Sequence, residues 1–497
     1  MREPTSIEDC VSSRRLVHNT RYHQFKQTEI DQIQVALLDW FDKEQRTNMP
    51  WRKPARSDLD KEALGQRAYE VWVSEIMLQQ TQVATVIEYY NRWMDRFPTI
   101  YDLAAADIEE VNTLWAGLGY YSRAARLKAG AKKVVEEFDG LLPNNAKDLE
   151  KHIPGVGPYT AGAIASIVFG QQTALVDGNV IRVLARLRAI GADMKKANVV
   201  ALFWQLATTL VPVERSGDFN QALMELGARV CTPQNPNCDG CPVQSQCLSR
   251  AHLNLHGKFL ADGGFWDQKG MSTDSSQLEH GVDILECEFC PAMTNELDHD
   301  DYAVTRYPVK VDKKPPRDEE CAVCILEKLQ EGDEESLYLI SRRPDKGLLA
   351  GLWEFPSLEL GDNRTTYAQR SKRTTTFLKE QYNLDLTTTA TVKAEVKRQD
   401  LDNVVHLFSH IRKVYHIEWV RIPAAAGIEM ASTGQKKWIT MDELKKAPIP
   451  TGLKKAIKLL EKARIGSTKA SSTSAKRKQP PSSNTKDIAS FFQKKRS

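Results

Sequence analysis

Residues 231–247 read CTPQNPNCDGCPVQSQC and place four cysteines, separated by six, two and five residues, directly after a helical pattern. A loop this short can wrap its thiolates round one tetrahedral or cubane inorganic centre, and its C-x-x-C pair suits zinc and iron–sulfur alike. Nine cysteines, mostly clustered in this way, indicate metal ligation in a reducing compartment rather than a disulfide framework. The predicted ligands are Cys231, Cys238, Cys241 and Cys247.

On either side of this loop the sequence predicts two folded domains. A chain of 497 residues, 41% apolar and 27% charged, is too long for one compact core. Residues 28–250 show amphipathic helical patterns broken by Pro and Gly, which predict an all-α domain in which Tyr69–Asp95 forms one helix. Residues 317–462 combine short alternating apolar runs with two helical patterns and predict an α+β domain.

The remaining segments lack the periodicity of a packed core. Residues 1–27 are expected to form an N-terminal tail, residues 251–316 a connector, and residues 463–497 a disordered tail. From Lys462 onward ten Lys/Arg and one Asp give +9, so residues 1–461 carry −6 of the net +3. A mean hydropathy of −0.45, without a long apolar run, predicts no membrane span.

A second glycine-rich segment, residues 152–162, reads HIPGVGPYTAG between two helical patterns. Pro158 suits the first turn of a helix, where no N–H is needed, and the N–H groups around Gly155 and Gly157 can hold a phosphate. By itself the segment is also compatible with an ordinary hairpin turn. Considered together with the cysteine loop, it predicts a helix-hairpin-helix that binds the DNA backbone without reading sequence.

Two carboxylates are candidates for catalysis. Glu75 shares a helical stripe with Val71, Trp72 and Leu78, so burial would raise its pKa and suit it to act as a general acid. A buried glutamate satisfied by the backbone or by an arginine is the structural alternative. Asp177 precedes a helical pattern, and helix capping alone would explain it.

Taken together, these segments resemble the MutY-type adenine DNA glycosylases of the endonuclease III superfamily, over nearly the whole chain. The matching stretches are SEIMLQQTQVATVI (74–87), LWAGLGYYSRAARL (114–127), PGVGPYTAGAI (154–164), VDGNVIRVLARL (176–187) and FNQALMELGARVC (219–231). The resemblance implies an all-α helix-hairpin-helix domain with a [4Fe–4S] loop, followed by an α+β Nudix-like domain. It also implies a monomer whose substrate is double-stranded DNA with adenine opposite 8-oxoguanine.

The resemblance assigns roles to individual residues. Glu75 would protonate adenine at N7 and help to activate water, while Asp177 would stabilise the oxocarbenium-like sugar. Tyr159 and Asn179 match positions that support the acid and the sugar. Gln80 and Tyr120 match the wedge and intercalation positions that fill the gap left by an extruded base, although Tyr120 could also be an ordinary packing aromatic.

Other functions remain open at this stage. An endonuclease III-like glycosylase and lyase for oxidised pyrimidines is the main alternative, but such relatives carry a Schiff-base lysine where this chain has Tyr159. A non-catalytic lesion sensor and a Nudix pyrophosphatase are further alternatives. True Nudix hydrolases bind metal through a Glu-rich helix, whereas residues 370–384 contain one acid, Glu380. In the family the second domain checks the base opposite adenine through a loop matched by Phe408, Ser409 and His410.

A second metal site is expected in the connector. Animal members of the family bind zinc through a Cys-x6-Cys-x2-Cys set and an N-terminal histidine, matched here by His280, Cys287, Cys290 and His23. His280 departs from the pattern because a cysteine is usual there. A pairing of Cys287 and Cys290 with Cys321 and Cys324 supplies the same ligand count, and a C-x-x-C pair without metal is the third possibility.

The basic tail carries two further motifs. Ile488, Phe491 and Phe492 have the spacing of a sliding-clamp peptide, with Thr485 where Gln is usual. Residues 476–478, Lys-Arg-Lys, read as a nuclear import signal. The first 21 residues contain three acids and no apolar core, which argues against a secretory signal, although their four arginines leave room for a mitochondrial form.

Overall fold

A computed structural model describes residues 20–54, 58–251, 253, 287–290, 304–309, 315–330, 335–344, 347–361, 365–386, 396–423 and 433–470. The chain separates into two compact units. The helical unit spans residues 1–314 with residues 346–350, and the sheet unit contains residues 315–345 and 351–497. Among the described residues, no helix combines the length and apolarity needed to cross a bilayer.

The helical unit is built from α-helices and short 3₁₀ turns. Its helices are α1 (Gln27–Glu44), α2 (Lys61–Leu78), α3 (Val83–Arg96), α4 (Ile100–Ala105), α5 (Ile108–Trp115), α6 (Ser122–Glu137), α7 (Ala146–His152), α8 (Pro158–Ile167), α9 (Gly178–Leu187), α10 (Ala197–Leu210) and α11 (Ser216–Arg229). The 3₁₀ turns are Thr20–His23, Gln244–Gln246 and Val304–Arg306. This architecture confirms the predicted all-α domain.

The prediction of one helix over Tyr69–Asp95 is wrong. The chain leaves the helix at Gln79, enters the left-handed region at Gln80 with a φ of 55°, and starts α3 after Gln82. The apolar stripe carries across this break, which is why periodicity alone joined the two helices. The break places Gln80 on a turn directly after the helix that carries Glu75.

Helix α2 is the buried centre of this unit. Every residue from Arg67 to Met77 is buried, so a carboxylate in this stretch has little access to water. The side chain of Asp60 begins the helix by accepting a hydrogen bond from the Ala63 N–H at 2.8 Å. Because Glu75 lies within this buried stretch, its burial follows from its position in the fold.

The sheet unit is a mixed β-sheet with helices on both faces. Its strands are β1 (Arg317–Lys328), β2 (Leu337–Arg342), β3 (Trp353–Glu354), β4 (Ser357–Glu359), β5 (Lys397–Leu407), β6 (Ile411–Ile422) and β7 (Lys436–Ile439). The order is β3-β2-β1-β6-β5, with β4 on β1 and β7 on β2; β1 and β6 are parallel, and the other pairs are antiparallel.

Helices complete this unit as an α+β domain, as predicted. They are α12 (Tyr367–Tyr382), α13 (Met441–Lys446) and α14 (Thr451–Ala470). Helix α12 packs on one face of the sheet, and α13 and α14 pack on the other. Helix α14 runs past the predicted tail boundary at residue 463, and Arg464 donates to the Tyr338 hydroxyl at 2.6 Å.

Parts of the predicted N-terminal tail and connector pack against the helical core. His23 is fully buried, and Cys287, Phe289 and Tyr307 are each 9% exposed within the same hydrophobic cluster. A segment without periodic apolar residues can therefore still pack against the core through a few residues, and the sequence pattern does not show these contacts.

Candidate active site

A cleft of about 1150 Å³ opens in the helical unit. Its wall brings together the predicted catalytic, wedge and hairpin residues: Glu75, Gln80, Gly155, Gly157, Tyr159, Asp177 and Asn179. They come from the end of α2, the turn before α8 and the start of α9. Tyr120 is not part of this wall.

Glu75 is the buried carboxyl group of the cleft and is 5% exposed. The Tyr159 hydroxyl donates to Glu75 Oε2 at 2.8 Å, and its oxygen lies 3.2 Å from Met224 Sδ. Burial raises the pKa of Glu75 to about 7; the Tyr159 hydrogen bond and Arg52 lower it, and the charge of Asp177 raises it. A carboxyl group with this pKa is well suited to deliver a proton near neutral pH.

The arginines beside Glu75 are engaged elsewhere. Arg46 and Arg52 form ion pairs with the buried carboxylate of Glu225 at 2.7 and 3.1 Å. Glu75 itself forms no salt bridge with any described residue. The structural alternative of a glutamate neutralised by arginine is therefore not what the cleft contains.

Asp177 caps α9 and faces the same cleft. Its Oδ1 accepts from the N–H groups of Asn179 at 2.9 Å and Val180 at 2.7 Å, and its Oδ2 accepts from Asn179 Nδ2 at 2.8 Å. Three donors thus fix the carboxylate in position. Capping and a role at the reacting sugar are compatible, because the same contacts that start the helix hold the charge at the cleft wall.

Helix α9 also connects this carboxylate to the cysteine loop. Arg182 donates to Asn179 Oδ1 at 2.8 Å and to the Cys231 carbonyl at 2.7 Å. Arg186, 2% exposed, donates to Cys231 Sγ at 3.3 Å and to the Thr232 carbonyl at 2.7 Å. One helix therefore has the Asp177 cap at its start and holds the cysteine loop through arginines along its length.

The sequence did not single out these arginines as functional. The only signal was their position, since Arg182 and Arg186 are four residues apart within an otherwise apolar helical stretch. Arginines at such positions require acceptors that fold together from distant segments. The acceptors here are loop carbonyls more than 40 residues away, and no sequence pattern marks them.

The four cysteines of the loop surround a small cavity together with Arg186 and Arg250. Burial raises the pKa of Cys241 to about 11 and of Cys247 to about 12, so a bound cation is needed to hold them as thiolates. The four cysteines therefore provide one set of sulfur donors for a metal centre.

His23, Cys287 and Cys290 form a second donor set, with their ligand atoms all within 4.8 Å of one another. His23 Nε2 lies 3.4 Å from each sulfur, and its Nδ1 lies 2.8 Å from the Arg188 carbonyl oxygen. Because a carbonyl only accepts, the proton is on Nδ1, which leaves the Nε2 lone pair toward the sulfurs. These three predicted ligands fit a metal, and His280 lies outside the described residues.

The rival pairing with Cys321 and Cys324 is contradicted. Both cysteines lie in β1 of the sheet unit, where they are 1% and 0% exposed. Cys321 belongs to the hydrophobic cluster on one face of the sheet and Cys324 to the cluster on the other. They are core residues whose side chains diverge, so they cannot complete one tetrahedral site.

The hairpin between α7 and α8 has the geometry expected of an anion site. Gly155 has a φ of 80°, and Pro158 is the first residue of α8. Among the described residues, neither the Gly155 nor the Gly157 N–H has a hydrogen-bond acceptor. Free N–H groups at a helix N-terminus favour a phosphate.

Gln80 and Tyr120 stand on two turns with left-handed backbone. Their φ values are 55° and 47°, and such residues are uncommon unless glycine, asparagine or aspartate. Gln80 is exposed and Tyr120 is 49% exposed. Both side chains therefore stand on turns whose backbone conformation is uncommon for their residue types.

In the sheet unit, Phe408, Ser409 and His410 form the turn between β5 and β6. The Phe408 N–H donates to the Ile411 carbonyl at 2.7 Å, which closes the turn, and Ser409 Oγ lies 3.0 Å from His410 Nδ1. Ser409 and His410 are exposed, and Phe408 is half-buried. Helix α12 contains Glu380 as its single acid, and that side chain is exposed.

Comparison with known proteins places both units in families. Residues 73–208 match the HhH-GPD superfamily of base excision DNA repair proteins, and residues 328–459 match the NUDIX domain. The rat adenine DNA glycosylase is 43% identical over 481 residues, covering 95% of this chain and 87% of the rat protein. The human enzyme of the same name is 43% identical over 454 residues, covering 91% and 78%. A solved thermostable thymine-DNA glycosylase is 28% identical, with a TM-score of 0.38 over 44% of this chain and 95% of that one.

Proposed function

The chain belongs to the adenine DNA glycosylase family, and from this premise we propose that it removes adenine opposite 8-oxoguanine. As a base-excision-repair enzyme it hydrolyses the N-glycosyl bond of adenine in DNA, and this activity is favoured over that of a lyase for oxidised pyrimidines. The observation that carries the mechanism is the 2.8 Å hydrogen bond from Tyr159 to the buried Glu75 in the cleft.

Glu75 acts as the general acid. Adenine is a poor leaving group until N7 accepts a proton, and a carboxyl group with a pKa of about 7 carries that proton at neutral pH. The Tyr159 hydroxyl orients the carboxyl group through its hydrogen bond to Oε2. After the bond breaks, the ionised Glu75 can accept a proton from the attacking water.

Asp177 stabilises the sugar. Loss of adenine leaves positive charge on the deoxyribose, and a carboxylate fixed by three N–H donors requires little reorganisation to meet it. Asn179 holds Oδ2 of this carboxylate. One protonated and one ionised acid is the division of labour known from glycoside hydrolysis.

The target adenine must leave the duplex before it can enter the cleft. Gln80 and Tyr120 project from their turns to occupy the gap, while the N–H groups of Gly155 and Gly157 hold the backbone. Tyr159 stands at the position of the Schiff-base lysine of lyases and donates to Glu75, so the enzyme removes the base without efficient strand cleavage. Borohydride trapping of a covalent adduct at the level of a true lyase would contradict this.

Recognition of 8-oxoguanine belongs to the turn of Phe408, Ser409 and His410. The Ser409 hydroxyl can both donate and accept at a purine edge, and it is exposed beside an imidazole. When the hydroxyl acts as the acceptor, it binds the N7–H of 8-oxoguanine and has no such partner on guanine, whose N7 carries no proton. The geometry of the turn and the family resemblance support this role.

The test measures free adenine from duplexes with each of the four normal bases or 8-oxoguanine opposite adenine. We expect fastest release opposite 8-oxoguanine, loss of at least about a hundredfold in Glu75→Gln, and reduced preference for 8-oxoguanine over guanine in Ser409→Ala. Ser357→Ala, in the same unit, is the matched control. Equal release from all duplexes would contradict the proposed specificity, and full activity of Glu75→Gln would contradict the mechanism.

The cysteine loop is proposed to hold a [4Fe–4S] cluster. Its four thiols, their spacing and the family resemblance support this assignment, and the cluster would supply a rigid, charged support for the loop. Iron and sulfide content of the purified protein, with Cys238→Ser as the variant, tests it. Zinc in place of iron would contradict it.

The remaining proposals concern zinc, a partner and localisation. His23, Cys287 and Cys290, with His280 as the fourth ligand, would hold structural zinc.

Ile488, Phe491 and Phe492 would bind a sliding clamp, and the basic tail would direct the protein to the nucleus; both motifs lie outside the described residues. We expect a Phe491→Ala, Phe492→Ala double variant to lose clamp binding. We expect the protein to lose its nuclear signal when residues 476–478 are neutralised.

A further inference from the structure

Arg123, the second residue of α6, donates hydrogen bonds to two separate turns. Its Nη1 lies 2.8 Å from the Ile76 carbonyl, 3.0 Å from that of Met77 and 2.6 Å from that of Gln79. Its other nitrogens reach the loop after α5, with Nη2 at 3.3 and 3.1 Å from two carbonyls and Nε at 3.4 Å from a third. The acceptors in that loop are Leu118, Gly119 and Tyr120.

This arginine is buried without an anion. It is 7% exposed, and no described carboxylate forms a salt bridge with it. Burial lowers the pKa of Arg123 to about 10, which still leaves it charged at neutral pH. The charge is met by carbonyl oxygens, three of them at the C-terminal end of α2, where the helix dipole favours a cation.

Both segments that Arg123 contacts lead directly into left-handed residues. Gln79 precedes Gln80, and Gly119 precedes Tyr120. The guanidinium also lies 5.5 Å from the Tyr120 ring centroid and 5.2 Å from that of Trp115. A planar fork with five N–H donors can hold two backbones in one geometry, which a lysine ammonium cannot do.

We propose that Arg123 is a positioning residue that locks the Gln80 turn and the Tyr120 turn to each other, so that both side chains enter DNA as a fixed pair. This rests on the proposed function, in which these side chains occupy the gap left by adenine. Without the lock, each turn could relax from its left-handed conformation. Extrusion of the base would then weaken, while the chemistry at Glu75 would be retained.

A purely structural arginine is the competing explanation, and Arg67 supplies the comparison. Arg67 is also 7% exposed and donates to a backbone carbonyl, that of Lys53, but it touches neither turn. Arg67→Lys should therefore lower stability as Arg123→Lys does, without affecting base extrusion. Circular dichroism and the thermal midpoint establish that each variant is folded.

The test uses the full chain with a duplex that carries 2-aminopurine beside the target adenine. In the Glu75→Gln background, where excision is expected to be at least about a hundredfold slower, Arg123→Lys should abolish most of the fluorescence rise that reports extrusion, and Arg67→Lys should preserve it. In the wild-type background Arg123→Lys should slow single-turnover excision by about tenfold to a hundredfold. The pH dependence of that step should be unchanged.

A double-mutant cycle separates positioning from general destabilisation. If Arg123 acts through the two turns, Arg123→Lys should lower the single-turnover excision rate by less than about threefold in a Gln80→Ala, Tyr120→Ala background. In that background the two side chains that Arg123 is proposed to position are absent. Equal losses in both backgrounds would overturn the proposal, as would an unchanged extrusion signal. If Arg123→Lys does not fold, Arg123→Gln, which keeps two N–H donors, replaces it; failure of both to fold would assign Arg123 to the core and also overturn it.

The proposed substrate and the proposed role of Arg123 are tested by different measurements. If the wild-type protein releases no adenine from any duplex, the assignment of substrate falls. The fluorescence comparison of Arg123→Lys with Arg67→Lys still decides whether Arg123 positions the turns.

Discussion

The Tyr159 hydroxyl determines the pH range over which Glu75 can serve as an acid. Burial raises the pKa of Glu75, and the hydrogen bond from Tyr159 to the carboxylate opposes that rise, which leaves the pKa at about 7. In the proposed mechanism excision needs protonated Glu75, so the rate is expected to fall as pH rises through this pKa. In Tyr159→Phe the pKa of Glu75 should be higher, and the falling limb of the single-turnover pH profile should move upward by about one pH unit.

Tyr69→Phe is the matched control for this variant. Tyr69 lies in the same helix as Glu75, but its hydroxyl donates to the Phe97 carbonyl at 2.8 Å. Its removal should leave the profile in place. A downward shift in Tyr159→Phe would mean that the hydroxyl stabilises the protonated acid instead.

The raised pKa of Glu75 also lowers the free energy of unfolding at neutral and alkaline pH. An ordinary glutamate has a pKa near 4.5 and Glu75 has one of about 7, so the folded protein binds the proton more tightly than the unfolded chain. The resulting stability is full below pH 4.5 and is lost as pH rises through 7. Glu75→Gln should therefore be more stable than wild type by about 3 kcal/mol at pH 8, at about 1.4 kcal/mol per pKa unit, and by much less at pH 5.

Denaturant unfolding of the helical unit at pH 5, 7 and 8 measures this difference. Glu62→Gln, an exposed position in the same helix, serves as the control. A stability gain that does not change with pH would show that Glu75 is not the titrating group.

At this scale the sequence could predict which residues matter but not what they touch. The apolar stripe of α2 was enough to predict a buried Glu75 with a raised pKa. Its partner Tyr159 lies 84 residues away, and local spacing carries no information about that contact. The family resemblance, not the physical pattern, connected the two.

At the scale of elements, the hairpin between α7 and α8 offers two glycines with different roles. Gly155 has a φ of 80°, and an added Cβ would lie 2.7 Å from Arg126 Cβ. Gly155→Ala should destabilise the helical unit by roughly 1–3 kcal/mol. Gly157 has a φ of −101°, and its Cβ would meet nothing within 4 Å. Gly157→Ala should therefore leave the thermal midpoint unchanged.

The affinity for DNA should reveal a role of Gly157 that the thermal midpoint does not. The Gly157 Cβ would stand where a phosphate approaches the free N–H groups, so Gly157→Ala should weaken duplex binding by about tenfold, as expected when a charge-assisted hydrogen bond is lost. Fluorescence anisotropy with an uncleaved duplex measures the affinity. Unchanged affinity in a folded Gly157→Ala protein would argue against phosphate binding at this hairpin.

The helical character of residues 28–250 was predictable from the period of their apolar residues. The break between α2 and α3 was not predictable, because Gln79–Gln82 are compatible with a helix and only tertiary contacts make them a turn. The carbonyls that this turn exposes are those to which Arg123 donates.

At the scale of the whole chain, α9 links elements that the sequence treats as separate. Its first turn holds the Asp177 carboxylate, Arg182 and Arg186 hold the cysteine loop, and Arg188, just after it, offers its carbonyl to His23. Composition predicted a tail, a domain and a connector. It could not show that all three meet on one helix, since each contact spans a long sequence separation.

The donor set of His23, Cys287 and Cys290 gives this convergence a measurable consequence. The histidine and the cysteines are 264 and 267 residues apart, so a bound metal would join two distant segments to the helical core. Removal of the metal by a chelator should lower the thermal midpoint of the helical unit by on the order of 5 °C. Metal analysis should find about one zinc per chain, and Cys287→Ser should lose it.

Cys321→Ser distinguishes this site from the rival pairing and serves as its control. Cys321 is a core residue of β1, so the variant should keep its zinc even if the sheet unit is less stable. His23→Gln should lose zinc as Cys287→Ser does, because Nε2 is the ring nitrogen that lies 3.4 Å from both sulfurs, while Nδ1 donates to the Arg188 carbonyl. Zinc retained in His23→Gln, or lost in Cys321→Ser, would show that the metal is held by a different set of ligands.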